Sequence, residues 1–266
     1  MAELPGNDAI GIRMLASGSG GNSILVSTKK TNLLIDAGLS CRELVRRLES
    51  VGILPRDVSA VVVTHEHQDH IRGVGVLSRR HNVPIYINAA TLQSARSLVG
   101  EVQTARPFNT GDAITIGDLT AQTYPVPHDA ADPIGLTLRN SARCVGIALD
   151  MGYPTGLVKQ RLRGSNLLIL EFNHDPKMLR QCARPWELKQ RIMSKKGHMS
   201  NEAALEFLCE LIHDRLHAIV LAHISREANS SEILYSAVSE RLRQIGRSDI
   251  KIFIGAQDDV GQQIEA

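Results

Sequence analysis

The stretch VVVTHEHQDH, residues 61–70, decides how this chain is read. Its opening valines close an apolar run, 58–63, that reads as a buried strand, and the polar residues after them read as a tight loop entering a helix over 70–81. Four side chains able to bind a metal, His65, His67, Asp69 and His70, fall within six residues. His65 and His67, two apart beyond a strand end, turn toward one side, while Asp69 and His70 at the helix start aim at a neighbouring point. That spacing suits two adjacent divalent ions better than one. Nitrogen and oxygen donors without thiolate suit zinc, manganese or iron, and a site with positions left open to water or carboxylate belongs to catalysis rather than to structure.

Outward from this loop, strand-like and helix-like segments alternate along the whole chain, with no repeat, low-complexity run or linker, so one α/β domain over 1–266 is the economical reading. Toward the N-terminus, a strand ending at Ala16, the turn SGSGGNS (17–23), a strand near 24–26 and another at 33–36 read as a β-meander. Ser40 and Glu43 form a capping box for a helix over 41–48, with Leu44, Val45 and Leu48 on one face and Gly52 as its stop. Past the loop come a strand at 84–87, a helix at 91–98 and two strands around Ile114 and Thr120. Strands at 134–138 and 144–149, a helix at 157–162 and a strand at 167–170 follow. Residues 178–193 read as one or two basic helices around Pro185, and Ser200 caps a helix over 201–211 with Glu202 in its first turn. A strand at 218–221, a helix at 232–242 and a strand at 250–254 complete a core of about 10–255. The tail DDVGQQIEA reads as frayed.

Composition narrows the function. The 266 residues are 43% hydrophobic and 22% charged, which excludes disorder, and only 3% aromatic, which disfavours modules that stack single-stranded bases on rows of Phe and Tyr. The N-terminal segment has neither a basic nor an apolar leader region and no stretch is long enough for a membrane span, so a cytoplasmic protein without membrane contact is expected. Cys41, Cys144, Cys182 and Cys209 are scattered and read as small hydrophobes, not as a thiolate site or disulfide framework. Of the 30 basic residues 22 are arginine, whose planar fork grips phosphate.

HxHxDH after a buried strand resembles the metallo-β-lactamase fold superfamily, and LLIDAG, carrying Asp36, is similar to its other usual signature. The stretches HDAADPIG (128–135), GIALDMGY (146–153), EFNHD (171–175), PWELKQRI (185–192), GHMSNEAA (197–204) and LAHISREAN (221–229) resemble the YycJ-like (WalJ) nuclease subfamily over roughly residues 10–230. The resemblance implies a four-layer αββα sandwich with metals in a groove at one edge. It implies that His65, His67 and His128 hold one ion, that Asp69, His70 and His223 hold the other, and that Asp150 bridges both. From the residues alone, His128, Asp150 and His223 each sit at or just after a predicted strand end, where ligands from different strands converge. Asp36 is expected to orient His67 or the loop backbone, its removal weakening metal retention.

The resemblance further implies a 5′-exonuclease on double-stranded DNA with a repair role, working through two divalent ions, Zn²⁺ or Mn²⁺, whose bridging hydroxide attacks phosphorus while Asp69 orients it and takes its proton. Residues 177–196 carry Lys177, Arg180, Arg184, Lys189, Arg191, Lys195 and Lys196 against Glu187 alone, a net charge of +6 suited to phosphates. His198 and His174 are candidate general acids. GHMS resembles the glycine-histidine-serine element of tRNA-processing members of the superfamily, which favours His198. His81, His213 and His217 read as structural, His213 as a ligand to the last carbonyls of its helix. The turn 17–22 is expected near the metal rim, touching substrate.

Two other readings compete. One is a small-molecule hydrolase of the same fold, acting on a thioester or cyclic phosphodiester; only 73 positions separate Asp150 from His223, too few for an added clamping domain. A nuclease would then grip nucleic acid on its core or through a homo-oligomeric partner. The other is a non-catalytic metal-binding protein acting through partner contacts, which an intact motif disfavours.

Overall fold

The structure is a computed structural model that describes residues 5, 6 and 8–266. Successive side chains on a strand face opposite ways, so a strand apolar at every position must be covered on both faces. That rule builds the layers. In β3 (Asn32–Ile35), Leu33 and Ile35 enter one buried cluster and Leu34 another, and in β4 (Ala60–Val62) Ala60 and Val62 join the first set and Val61 the second.

The first sheet runs in the order β14 (Ile264–Glu265), β1 (Gly11–Ala16), β2 (Ser23–Ser27), β3, β4, β5 (Ile85–Asn88), β6 (Ala105–Phe108). The second runs β13 (Lys251–Ile254), β12 (Ala218–Ala222), β11 (Leu167–Glu171), β10 (Cys144–Ala148), β9 (Ile134–Arg139), β8 (Leu119–Pro125), β7 (Ala113–Ile116). Both are mixed: β1 to β3 and β7 to β10 pair antiparallel, whereas β3 to β6 and β10 to β13 pair parallel.

Ile12, Val26, Ile35 and Val62 of one sheet meet Leu136, Ile147, Ile169 and Val220 of the other in the central layer. On the outer face of the first sheet lie α1 (Cys41–Ser50), α3 (Val74–His81) and α4 (Ala89–Val99), through Leu44, Leu48, Leu77 and Ala95. On that of the second lie α5 (Gly156–Leu162), α8 (Asn201–Leu211) and α9 (Ser231–Gln244), through Leu162, Phe207, Leu208 and Val238. The result is the four-layer αββα arrangement. Among the described residues no helix is long and apolar enough to cross a membrane.

Several local expectations change. The helix expected over 70–81 is broken into α2 (Gln68–Ile71) and α3, because Gly73 turns the chain and donates its N–H to the Ala37 carbonyl. Ser40 caps α1 by accepting from the Glu43 N–H, but the Glu43 carboxylate pairs with Arg46 and Arg47 instead of closing a box. Of the one or two helices expected around Pro185 there are two, α6 (Pro176–Gln181) and α7 (Trp186–Met193), with Pro185 between them. Strand β6 was not expected; it is an edge strand, where Pro107 costs no ladder bond. The tail is not frayed: β14 pairs antiparallel with β1, Ile264 is buried, and the Ala266 N–H donates to Ile10.

Candidate metal centre

Strand ends from both sheets meet at one edge. The loop after β4 brings His65 and His67, α2 brings Asp69 and His70, and the segments leaving β8, β10 and β12 bring His128, Asp150 and His223. Asp36, Asp150 and His223, each just past a strand, hold φ of 62°, 50° and 52°. L side chains avoid that left-handed region, and residues kept there cluster at functional sites. Close backbone approach completes the frame. A Cβ at Gly38 would collide with the Asp69 carbonyl, and there Asn22 N–H donates to Asp69 O at 2.7 Å while Ala37 N–H donates to His70 O at 2.8 Å.

Outer partners set each imidazole. Thr64 Oγ1 donates to Asp36 Oδ2 at 2.8 Å and so accepts from His65 Nδ1 at 3.0 Å, leaving His65 Nε2, buried and without a partner, facing the cluster. His70 Nδ1 lies 2.7 Å from Asp36 Oδ2, and its Nε2 lies 2.9 Å from Asp150 Oδ2. His128 Nδ1 donates to Gly197 O at 3.1 Å, which turns its Nε2 to within 3.2 Å of His67 Nδ1. His223 Nδ1 sits 3.2 Å from Glu171 Oε1, and its Nε2 reaches Asp150 Oδ1 at 3.4 Å and Asp69 Oδ2 at 3.5 Å.

Among the described residues four overlapping groups of donors result: His65, His67 and His128; His65, His70 and Asp150; Asp69, His70 and His223; and Asp150, Glu171, His198 and His223. Burial, reinforced by the charge on His70, holds His65 well below the usual histidine range. Burial also opposes charge on His70 and His223, but Asp150 and the neighbouring carboxylates reverse this and carry both well above it. Asp150, despite complete burial, is held well below the carboxylate range by His223 and His70. Nitrogen lone pairs converging among ionised carboxylates, with His65 Nε2 buried without a partner and Asp150 Oδ2 turned to His70 Nε2, are what a divalent cation requires; its binding would displace the protons those histidines otherwise take up. The residues present therefore fit divalent metal.

Beside these donors is a small cavity of about 100 Å³ lined by Ser19, Asp129, Arg184, Arg191, His198 and His223, among others. A larger groove, about 930 Å³ along α1 and α3, contains none of the candidate ligands, so volume is not what marks the site.

Asp36 corrects one expectation. It accepts from the Thr64 N–H and hydroxyl and from His70 Nδ1, so it fixes the loop backbone and His70, not His67. His174 is buried, lies in none of the metal-capable groups, and burial lowers it to about 4, so it holds no proton to give near neutrality. His198 differs: burial opposes its charge, but Glu171, 2.5 Å from Nδ1, raises its pKa above the usual value. Lys189 is buried, its ammonium donating to the carbonyls of Arg180 and Cys182, so it is an internal brace and not a phosphate contact. Arg184 and Arg191 line the cavity but pair with Glu227 and Asp129; Lys177, Arg180, Lys195 and Lys196 are exposed. The glycine-rich turn braces ligands, with Ser17 Oγ accepting from His223 N–H at 2.8 Å and Asn22 Nδ2 donating to Asp69 Oδ2 at 3.1 Å. His213 bonds the Ser165 carbonyl, outside its own helix.

Sequence reasoning missed Glu171, which ends β11 fully buried and touches both His198 and His223. A carboxylate closing the apolar run LLILE was the available signal. It also missed Glu66, whose Oε1 accepts from Ala131 N–H at 2.7 Å and so ties the loop of His65 and His67 to that of His128.

Comparison with known proteins supplies the remaining observations. Residues 31–224 match the model of the beta-lactamase superfamily domain. The exodeoxyribonuclease YycJ of Bacillus anthracis is 38% identical over 235 residues, covering 88% of this chain and 89% of that protein. The exodeoxyribonuclease WalJ of Streptococcus pneumoniae is 35% identical over 235 residues, 87% of each. Among solved structures, the metallo-beta-lactamase fold protein YhfI from Bacillus subtilis superposes with a TM-score of 0.76 at 18% identity, covering 97% of this chain and 100% of that one, which is a likeness of fold.

Proposed function

The chain belongs to the beta-lactamase superfamily domain family and is a metal-dependent hydrolase, and from that premise we propose that it is a phosphodiesterase acting on nucleic acid, a 5′-exonuclease on double-stranded DNA with a cytoplasmic repair role. The observation that carries this reading is the cavity wall facing the ligands: His198, backed by buried Glu171, stands there beside Arg184 and Arg191. A general acid flanked by planar cations suits an ester that is itself an anion.

His65, His67 and His128 would hold one divalent ion and Asp69, His70 and His223 a second, with Asp150 between them. Bound Zn²⁺ or Mn²⁺ supplies Lewis-acid charge for the developing phosphorane and lowers the pKa of water toward neutrality. Asp69, pulled below the carboxylate range by His70 against the effect of burial, is ionised and positioned by Asn22 to take the proton of the attacking water. His198, its Nδ1 on Glu171, delivers a proton from Nε2 to the leaving oxygen. Arg184, Arg191, Lys195 and Lys196 hold flanking phosphates.

The test is hydrolysis of 5′-labelled duplex DNA with added Mn²⁺ or Zn²⁺. Stepwise release of labelled mononucleotides is expected, falling roughly 10²–10⁴-fold in Asp69→Ala and in His198→Asn. One observation favours a second reading: a cavity of about 100 Å³ with both arginines already paired suits a compact ligand such as a cyclic phosphodiester or thioester. Turnover of such a substrate with no cleavage of DNA or RNA would replace the first reading by the second.

A further inference from the structure

Among the carboxylates whose oxygens the outer partners of the centre leave unpaired, Asp129 stands just outside the donor groups named above. Asp129 follows His128 in the segment after β8, and its two oxygens have different fates. Oδ2 is bonded by Arg191 Nε of α7, while Oδ1 is buried with no hydrogen-bond partner, 3.5 Å from His128 Nε2 and 3.8 Å from His67 Nε2. Neither distance is a hydrogen bond. Two donors about 2 Å from one ion at tetrahedral angles stand roughly 3.3 Å apart, so 3.5 Å from His128 Nε2 is the range of atoms serving the same ion.

We infer that Asp129 is a further carboxylate of the ion site at His65, His67 and His128, offering Oδ1 to the ion or its hydration shell while Oδ2 fixes Arg191. The inference rests on reading those three histidines as a metal site. An isolated buried carboxylate oxygen is costly, and a cation offsets that cost where no N–H or O–H does. The arrangement gives Arg191 a second role. Held through Nε by Asp129, it lines the cavity, so the same carboxylate sets both the first ion site and this arginine.

The alternative is that Asp129 only anchors α7. Removing either partner would then have the same effect, which separates the two cases. Affinity for Zn²⁺ and Mn²⁺ alone is measured by chelator competition in the full chain, wild type beside Asp129→Ala, Asp129→Asn and Arg191→Gln. The expected result is a roughly 10–100-fold weaker affinity for one ion in Asp129→Ala, a smaller loss in Asp129→Asn, and little change in Arg191→Gln. The visible spectrum of the Co²⁺-loaded protein should shift in Asp129→Ala and not in Arg191→Gln. Equal effects in the alanine and glutamine variants, or none in either, overturn the inference. A wild type that binds no divalent ion overturns the metal reading itself, a distinct result.

Discussion

Asp36 shows how much one buried side chain governs. Just past β3 in a left-handed conformation, it takes three hydrogen bonds, from the Thr64 N–H, the Thr64 hydroxyl and His70. Truncation strands all three donors, so Asp36→Ala should lower stability by about 2–4 kcal/mol in urea titration and weaken metal retention by roughly 10–100-fold in a chelator assay. Unchanged retention would mean that His70 is held by the backbone alone. His174 supports a prediction of pH dependence. Burial places it at about 4 when folded, against an ordinary 6.5. Above 6.5 both states are neutral; as pH falls toward 4 the unfolded chain gains its proton first and stability drops, by at most about 3 kcal/mol from this residue. The stability gap between wild type and His174→Gln should therefore narrow by up to that amount between pH 7 and 4, and parallel profiles would contradict the assignment. LLIDAG marked Asp36 as important, but its partner could not be read, because His67 and His70 both lie close in sequence and only the turn into α2 decides between them.

At the level of the element, the segment holding α6 and α7 divides into brace and surface. Seven cations in one stretch looked uniform in sequence because charge counting does not register which ammonium points inward. Lys189 caps the carbonyls leaving α6, whereas Lys195 and Lys196 are exposed beside the loop that carries His198. The two classes should separate experimentally. Lys189→Ala leaves two carbonyls short of a donor and should cost about 1–3 kcal/mol of stability without changing the salt dependence of DNA binding. Lys195→Gln with Lys196→Gln should leave stability nearly unchanged and reduce the slope of log affinity against log salt by about two. An unchanged slope would place the phosphate track elsewhere. Periodicity located most helices and strands of the core, since amphipathic spacing survives in isolation. It did not locate β6, which is four residues long with a proline and half exposed, or the break at Gly73, which exists because the loop after β3 presses against α2.

Across the whole molecule, the C-terminal segment links the two sheets. From β13 in one sheet it passes the glycine-rich turn and ends as β14 on the edge of the other. Its composition is polar and glycine-containing, so no local signal announced an ordered path; the order comes from contacts about 250 residues away, as when Arg13 bonds Gly261 and Gln263. On the way, Gln257 accepts from Gly20 N–H at 2.6 Å and donates to Gly21 O at 2.9 Å, holding the turn whose Ser17 and Asn22 support His223 and Asp69. Edge pairing and support of the centre therefore lie on different residues of one segment. Deleting 264–266 removes the β14 pairing and the burial of Ile264, and should cost about 2–4 kcal/mol, lowering the melting temperature by roughly 5–10 °C while zinc retention at low temperature holds. Gln257→Ala should do the reverse, weakening zinc retention several-fold with a smaller thermal shift, because it frees the turn and leaves the sheet edge paired. If both changes weaken zinc retention in proportion to lost stability, the segment acts on the centre only by holding the fold together, and the turn has no separate part in positioning the ligands.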